Sequence, residues 1–229
     1  MGLSDHHNRH CALSHQLVVD SVVVRFGEKT VLSGGYITSE TGKVTGLLGR
    51  NGTGKSCMFR ALMGGLKVEY VIVHIDGVPI DRKKIGLRIK YLPQDRMIPR
   101  GMTLRRAFEL YKVDFWEFAL RFPQYSGYYN TEIWELSGGE ARLAEVYLVL
   151  MTEGEFCILD EPFSQISPLH IEAVHELIRE KSREKGIIVT DHNFEAISKV
   201  VDNLFVIAEG CTSPVESRED LVRHGYLRE

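Results

Sequence analysis

The stretch Val44-Thr45-Gly46-Leu47-Leu48-Gly49-Arg50-Asn51-Gly52-Thr53-Gly54-Lys55-Ser56-Cys57 decides how the whole chain is read. Gly49 to Ser56 fits G-x-x-x-x-G-K-[ST], with a strand pattern before it and a helical pattern, Cys57–Met63, after it. In that setting the glycines let backbone N–H groups converge on the β- and γ-phosphates of a nucleotide at a helix N-terminus, where the helix dipole also favours anions. Lys55 supplies a positive charge to the phosphates and the Ser56 hydroxyl a ligand for Mg²⁺. The plainer alternative is a glycine-rich turn with a coincidental Lys-Ser, against which the matching flanks count.

Two further stretches sharpen this reading. Phe156-Cys157-Ile158-Leu159-Asp160-Glu161 is an apolar strand ending in two acids. Adjacent carboxylates repel unless a cation is near, which suits Asp160 as a Mg²⁺ ligand and Glu161 as the group that polarises an attacking water. Leu136-Ser137-Gly138-Gly139-Glu140 opens a helix and has the form of a capping box, Ser137 as N-cap with Glu140 three residues on. Two glycines in a first turn cost about 0.8–1.0 kcal/mol each relative to Ala, so bare backbone is needed there, and close approach to a phosphate is the simplest reason.

Outward from these motifs, Gln16–Arg25, Thr30–Ile37 and Lys43–Leu48 read as strands joined first by a Phe26-Gly27-Glu28-Lys29 turn, an antiparallel start. Strands follow at Lys67–Ile75, Lys90–Leu92, Phe156–Leu159, Ile187–Thr190 and Leu204–Ala208, with helices at about Ser137–Thr152, Leu169–Arg183 and Asn193–Val200. This alternation predicts an α/β fold with a mostly parallel sheet, its chemistry at the C-terminal ends of the strands. Between Thr103 and Trp134 lie ten of the 21 aromatic residues, which predicts a small helical subdomain, about 95–135, with a core of its own.

The 229 residues, 44% hydrophobic and 26% charged with a net charge of −3, exclude disorder and low complexity and suggest one domain, 16–229. The acidic balance argues against a partner bound through bulk positive charge, so no nucleic acid is expected. Apolar runs such as Leu143–Met151, which carries Glu145, are far shorter than the roughly 20 residues that span a bilayer. The first residues, rich in Asp, His, Asn and Arg, lack the apolar segment of a signal peptide. They read as a flexible tail, 1–15, rather than as a metal site built from His6, His7, His10 and His15. Cys11, Cys57, Cys157 and Cys211 have no CxxC spacing and read as reduced, mostly buried thiols.

The order of the phosphate loop, Leu92-Pro93-Gln94, Leu136–Glu140, Leu159-Asp160-Glu161-Pro162 and Thr190-Asp191-His192 resembles the nucleotide-binding subunit of an ABC transporter, from about Gln16 to Val206. Leu92-Pro93-Gln94-Asp95, Asp160-Glu161-Pro162-Phe163, Thr190-Asp191-His192-Asn193 and His224-Gly225-Tyr226-Leu227 are most similar to the lipopolysaccharide-export and branched-chain amino-acid importer ATPases. The resemblance implies a P-loop NTPase fold: a mostly parallel core with an antiparallel β subdomain and a small helical one. It implies ATP and Mg²⁺, with Gln94 contacting the metal and the attacking water and His192 reaching the γ-phosphate as a switch. Ser137, Gly138 and Gly139 would face ATP held by a second copy, so that each site is composite and belongs to a head-to-tail dimer.

Phe26 matches the aromatic that stacks on adenine, and a core phenylalanine is the alternative. Separate transmembrane permease subunits are implied, with the chain on the cytoplasmic face of the membrane and a groove near Gln94 and Pro99-Arg100-Gly101 receiving a short partner helix. Two positions depart from the pattern. Arg50 stands where Pro is frequent and is expected to point outward; Ser167 stands where an Asp is common, which bears on coupling between the two sites. The leading reading is therefore an ATP-hydrolysing transport motor. An ABC-type ATPase acting on nucleic acid or ribosomes, and a nucleotide sensor with little hydrolysis, are the alternatives.

Overall fold

The structure is a computed structural model describing residues 14–192 and 194–227. His6, His7, His10, Cys11 and the expected helix start at Asn193 lie outside the described residues. Two long strands, β1 (Gln16–Phe26) and β2 (Lys29–Glu40), form an antiparallel hairpin, and β3 (Val44–Leu48) then enters the centre of the sheet. The chain continues through α1 (Lys55–Leu62), β4 (Tyr70–Ile75), β5 (Val78–Pro79), α2 (Ile85–Arg88) and β6 (Ile89–Leu92). Then come α3 (Leu104–Tyr111), α4 (Phe115–Arg121), α5 (Gly138–Met151), β7 (Phe156–Asp160), α6 (Pro168–Ser182), β8 (Gly186–Thr190), α7 (Phe194–Ser198), β9 (Asn203–Ala208), β10 (Cys211–Pro214) and α8 (Arg218–Arg223).

Among the described residues the strands run in the order β5-β4-β1-β2-β10-β9-β3-β8-β7-β6. The stretch β9-β3-β8-β7-β6 is parallel, and β5-β4-β1-β2 is antiparallel. Every residue of β3, β7 and β8 is buried, as expected of parallel strands covered on both faces. The period of two divides β7 between two cores: Cys157 and Leu159 face the helical side, Phe156 and Ile158 the hairpin and α1.

The aromatic-rich segment packs as α3, α4 and the turns that follow. Phe118 sits at its centre, 5.1 Å from Phe108, 4.6 Å from Tyr125 and 4.8 Å from Tyr147 of α5 by ring centroid. Such pairs add about 0.5–1.5 kcal/mol each beyond their buried area. Trp116 and Trp134 stay exposed.

The sequence pattern did not reveal β5, α2, β10 or α8. Each is short, and α8 buries only Leu221; the legible sign was its capping box, Ser217 with Asp220. The expectation of mostly buried thiols is corrected. Cys157 is buried, and burial pushes its thiol up to about 12, but Cys57 is half-buried and Cys211 exposed.

Candidate functional site

The phosphate loop begins where β3 ends. Gly54 caps α1 at φ +107°, which excludes a side chain, and a Cβ there would lie 2.9 Å from Leu32 Cδ2. Lys55, 6% exposed, donates from Nζ to the carbonyls of Gly49 at 2.6 Å and Arg50 at 3.3 Å. Thr53 Oγ1 closes the same turn on the Arg50 carbonyl at 2.8 Å. The Arg50 side chain points outward as expected, and Asn51 and Gly52 are exposed beside it. Burial holds the Lys55 pKa below its ordinary value, while Glu161, Asp160 and Asp191 pull it the other way.

Strands β6, β7 and β8 bring the remaining groups to the same edge. Gln94 follows β6; its Oε1 accepts from Ser56 Oγ at 3.4 Å and its Nε2 donates to Glu161 Oε2 at 3.1 Å. Asp160 ends β7 fully buried, with Oδ1 accepting from Thr190 Oγ1 at 2.8 Å and Oδ2 from Tyr91 OH at 3.2 Å. Glu161 takes φ +53°, an uncommon conformation for a residue with a side chain, and its N–H donates to the Thr190 carbonyl at 2.9 Å. Beyond β8, the exposed His192 ring stands with Nδ1 3.9 Å from Glu161 Oε1 and 3.4 Å from Asp191 Oδ1.

These residues fit Mg²⁺. The Ser56 hydroxyl, the Gln94 carbonyl and the Asp160 carboxylate are hard oxygen donors, of the kind that hold a cation which keeps waters of its own. The buried carboxylates Asp160, Glu161 and Asp191, all acting on Lys55, leave negative charge that a divalent cation offsets.

The Ser137-Gly138-Gly139 turn is bonded elsewhere. Ser137 and Glu140 form the expected capping box, the Ser137 N–H donating to Glu140 Oε2 at 2.8 Å, and Tyr125 OH donates to the Glu140 carbonyl at 2.8 Å. Packing by itself requires bare backbone at Gly139 and only weakly at Gly138. A Cβ on Gly138 would lie 2.2 Å from Gln165 Oε1, and one on Gly139 2.5 Å from the Gln165 carbonyl oxygen. Ser167, in the same loop as Gln165, places its Oγ 3.2 Å from His170 Nδ1. Phe26 is 51% exposed at the end of β1, so it is no core residue and offers a free ring face.

Sequence reasoning missed a buried strut. Arg142 donates to the carbonyls of Pro93 at 2.7 Å, Glu161 at 3.1 Å and Asp160, and it pairs with Glu145 at 3.5 Å. Glu145 Oε1 in turn accepts the N–H groups of Met97 at 2.9 Å and Ile98 at 3.1 Å. The pair thus ties both ends of the Gln94 loop and the Asp160–Glu161 turn to α5, the helix that Ser137 caps. The available signal was two charges, three residues apart, in a helix buried over Ala141–Leu150. Gln94 borders a small cavity of about 180 Å³ together with Asp95, Arg96, Gly138 and Gln165, and a larger groove lies elsewhere. A groove of about 1170 Å³ runs along the outer edge of β6, walled by residues 86–91, 110–112, 149 and 151–155 with Met63, and Pro99-Arg100-Gly101 takes no part in it.

Residues 32–164 match the family profile described as ABC transporter. The chain belongs to the ABC transporter family. It is 30% identical over 225 residues to a probable ABC transporter ATP-binding protein of Azorhizobium caulinodans, covering 89% of this chain and 78% of that one. It is 28% identical to the lipopolysaccharide export system ATP-binding protein LptB of Acidithiobacillus ferridurans, covering 94% of this chain and 98% of that one. A solved structure of an ATP-binding subunit of an ABC transporter superposes with a TM-score of 0.78 at 19% identity, over 93% of this chain and 95% of that one. That last likeness confirms the ABC ATPase fold, and among the described residues no helix is long and apolar enough to cross a membrane.

Proposed function

We propose that the chain is the ATP-hydrolysing motor of a transporter: two copies close head to tail around two Mg·ATP and drive separate transmembrane subunits from the cytoplasmic face. The observation that carries this reading is the Gln94 bridge, whose amide touches the Ser56 hydroxyl on one side and Glu161 on the other. A residue so placed senses metal and attacking water together.

The chain's own groups then divide the reaction. The loop amides and Lys55 hold the phosphates, Phe26 offers its ring to the base, and Glu161 orients the water for in-line attack on the γ-phosphorus. His192 approaches the γ-phosphate from the Glu161 side, and the Ser137 and Gly139 amides of the other copy stabilise the developing charge. Mg²⁺ would be held by the Ser56 hydroxyl, the Gln94 carbonyl and the Asp160 carboxylate, and would supply charge neutralisation at the phosphates. A short apolar helix of a transmembrane subunit suits the groove along β6, where Leu87 and Leu110 are exposed on the rim.

Purified chain is expected to release phosphate from ATP in Mg²⁺ and to stop in excess EDTA. A folded chain that binds ATP and releases no phosphate contradicts the motor reading and favours a sensor, in line with Ser167 standing where a carboxylate is common.

A further inference from the structure

Strand register brings two hydroxyls to the sides of one carboxylate. Tyr91 of β6 pairs with Ile158 of β7, two residues before Asp160, so Tyr91 and Asp160 project from the same face of the sheet. Thr190 of β8 pairs directly with Asp160 and shares that face. The outcome is a row, half-buried at Tyr91 and fully buried at Asp160 and Thr190, in which Tyr91 OH donates to Oδ2 at 3.2 Å and Thr190 Oγ1 donates to Oδ1 at 2.8 Å. A carboxylate held at both oxygens cannot rotate about its last bond without losing a bond in a buried setting. A phenol carries its proton at neutral pH and so serves as the donor in this pair.

We propose that Tyr91 is a positioning residue for Asp160: with Thr190 it fixes the carboxylate in the orientation that the Mg²⁺ of bound ATP requires. The inference rests on the ATP reading above and adds a residue that no motif identifies. Tyr91 also forms part of the wall of the groove along β6. Outer hydrogen-bond partners of metal ligands orient them and set their affinity, typically by about 10- to 100-fold.

The test is the Mg²⁺ dependence of nucleotide binding, which requires no turnover. Binding of a fluorescent methylanthraniloyl-ATP to the full chain is measured in EDTA and then across a MgCl₂ titration. Tyr91→Phe, which keeps the ring, is expected to leave affinity in EDTA unchanged and to raise the MgCl₂ concentration at half-effect by about 10-fold. Thr190→Val is expected to act in the same direction, with Thr190→Ser restoring the wild-type midpoint. An unchanged midpoint in Tyr91→Phe overturns the proposal, as does equal weakening with and without Mg²⁺, the mark of a merely structural role. If Tyr91→Phe does not fold, the Thr190 pair decides on the same readout. Should wild-type chain bind no nucleotide in either condition, the ATP reading itself falls and takes this inference with it; binding by wild type with an unshifted variant removes this inference alone.

Discussion

The two glycine-rich turns of this chain, 49–56 and 137–139, open helices in the same way and are surrounded differently. Around the first stand a buried lysine, three buried carboxylates, the Gln94 amide and the His192 ring, gathered from the ends of four parallel strands. Around the second stand its own cap and the Gln165 loop. Under the proposed function the first turn carries the charges that a magnesium nucleotide requires. The second offers amides, and under the proposed arrangement their target lies on another copy. Arg142 and Glu145 join the two regions, since the helix that Ser137 caps also holds the Gln94 loop and the Asp160–Glu161 turn.

Substitutions on each side break or sharpen this contrast. Glu161→Gln removes the group proposed to orient the water: phosphate release should fall by about 100- to 10,000-fold while ATP stays bound, and a two-copy species should persist on size exclusion. Normal turnover in that variant removes Glu161 from the chemistry. Lys55→Ala loses a charged donor to the phosphates, worth about 1.5–3 kcal/mol or about 10- to 150-fold in Kd by calorimetry. Unchanged affinity there means that the first turn is not the phosphate site.

On the second turn the two glycines should behave differently. Gly139→Ala drives a Cβ against the Gln165 backbone and should cost about 1–3 kcal/mol, with Tm falling about 2–4 °C per kcal/mol. Gly138→Ala displaces only the end of the Gln165 side chain and gains about 0.8–1.0 kcal/mol of helix propensity, so its Tm should hold. A Gly138→Ala chain that is stable and binds ATP, yet no longer hydrolyses it, places the role of this turn outside its own copy; full activity argues against that role. The smallest effect belongs to Phe26→Ala, about 0.5–1.5 kcal/mol or about 2- to 12-fold in ATP affinity, with Phe26→Tyr unchanged. No change in Phe26→Ala removes the ring from the base site.

What the sequence disclosed and what it concealed follow from distance along the chain. The phosphate loop, the apolar strand ending at Asp160 and the cap at Ser137 are each written in fewer than ten consecutive residues, and periodicity finds them. Tyr91 and Asp160 lie 69 positions apart and meet only through the register of β6 against β7. Arg142 reaches Pro93 across 49 positions, and its charge reads locally as an oddity in an apolar helix. The groove along β6 was not foreseen because its walls come from three separate segments that pack at the sheet edge. The aromatic segment fell between these cases: its composition announced buried rings, and the packing joined them to the one core they share with β3, β7, α5 and α6, not to a core of their own, with Trp116 and Trp134 left exposed.

The claim that two copies complete each site is tested most directly by specific ATPase activity as a function of protein concentration, read beside sedimentation of the same samples in Mg·ATP. Activity per chain that rises with concentration and levels off as a two-copy species fills is the predicted result. Constant activity per chain at concentrations where sedimentation finds single copies would contradict it.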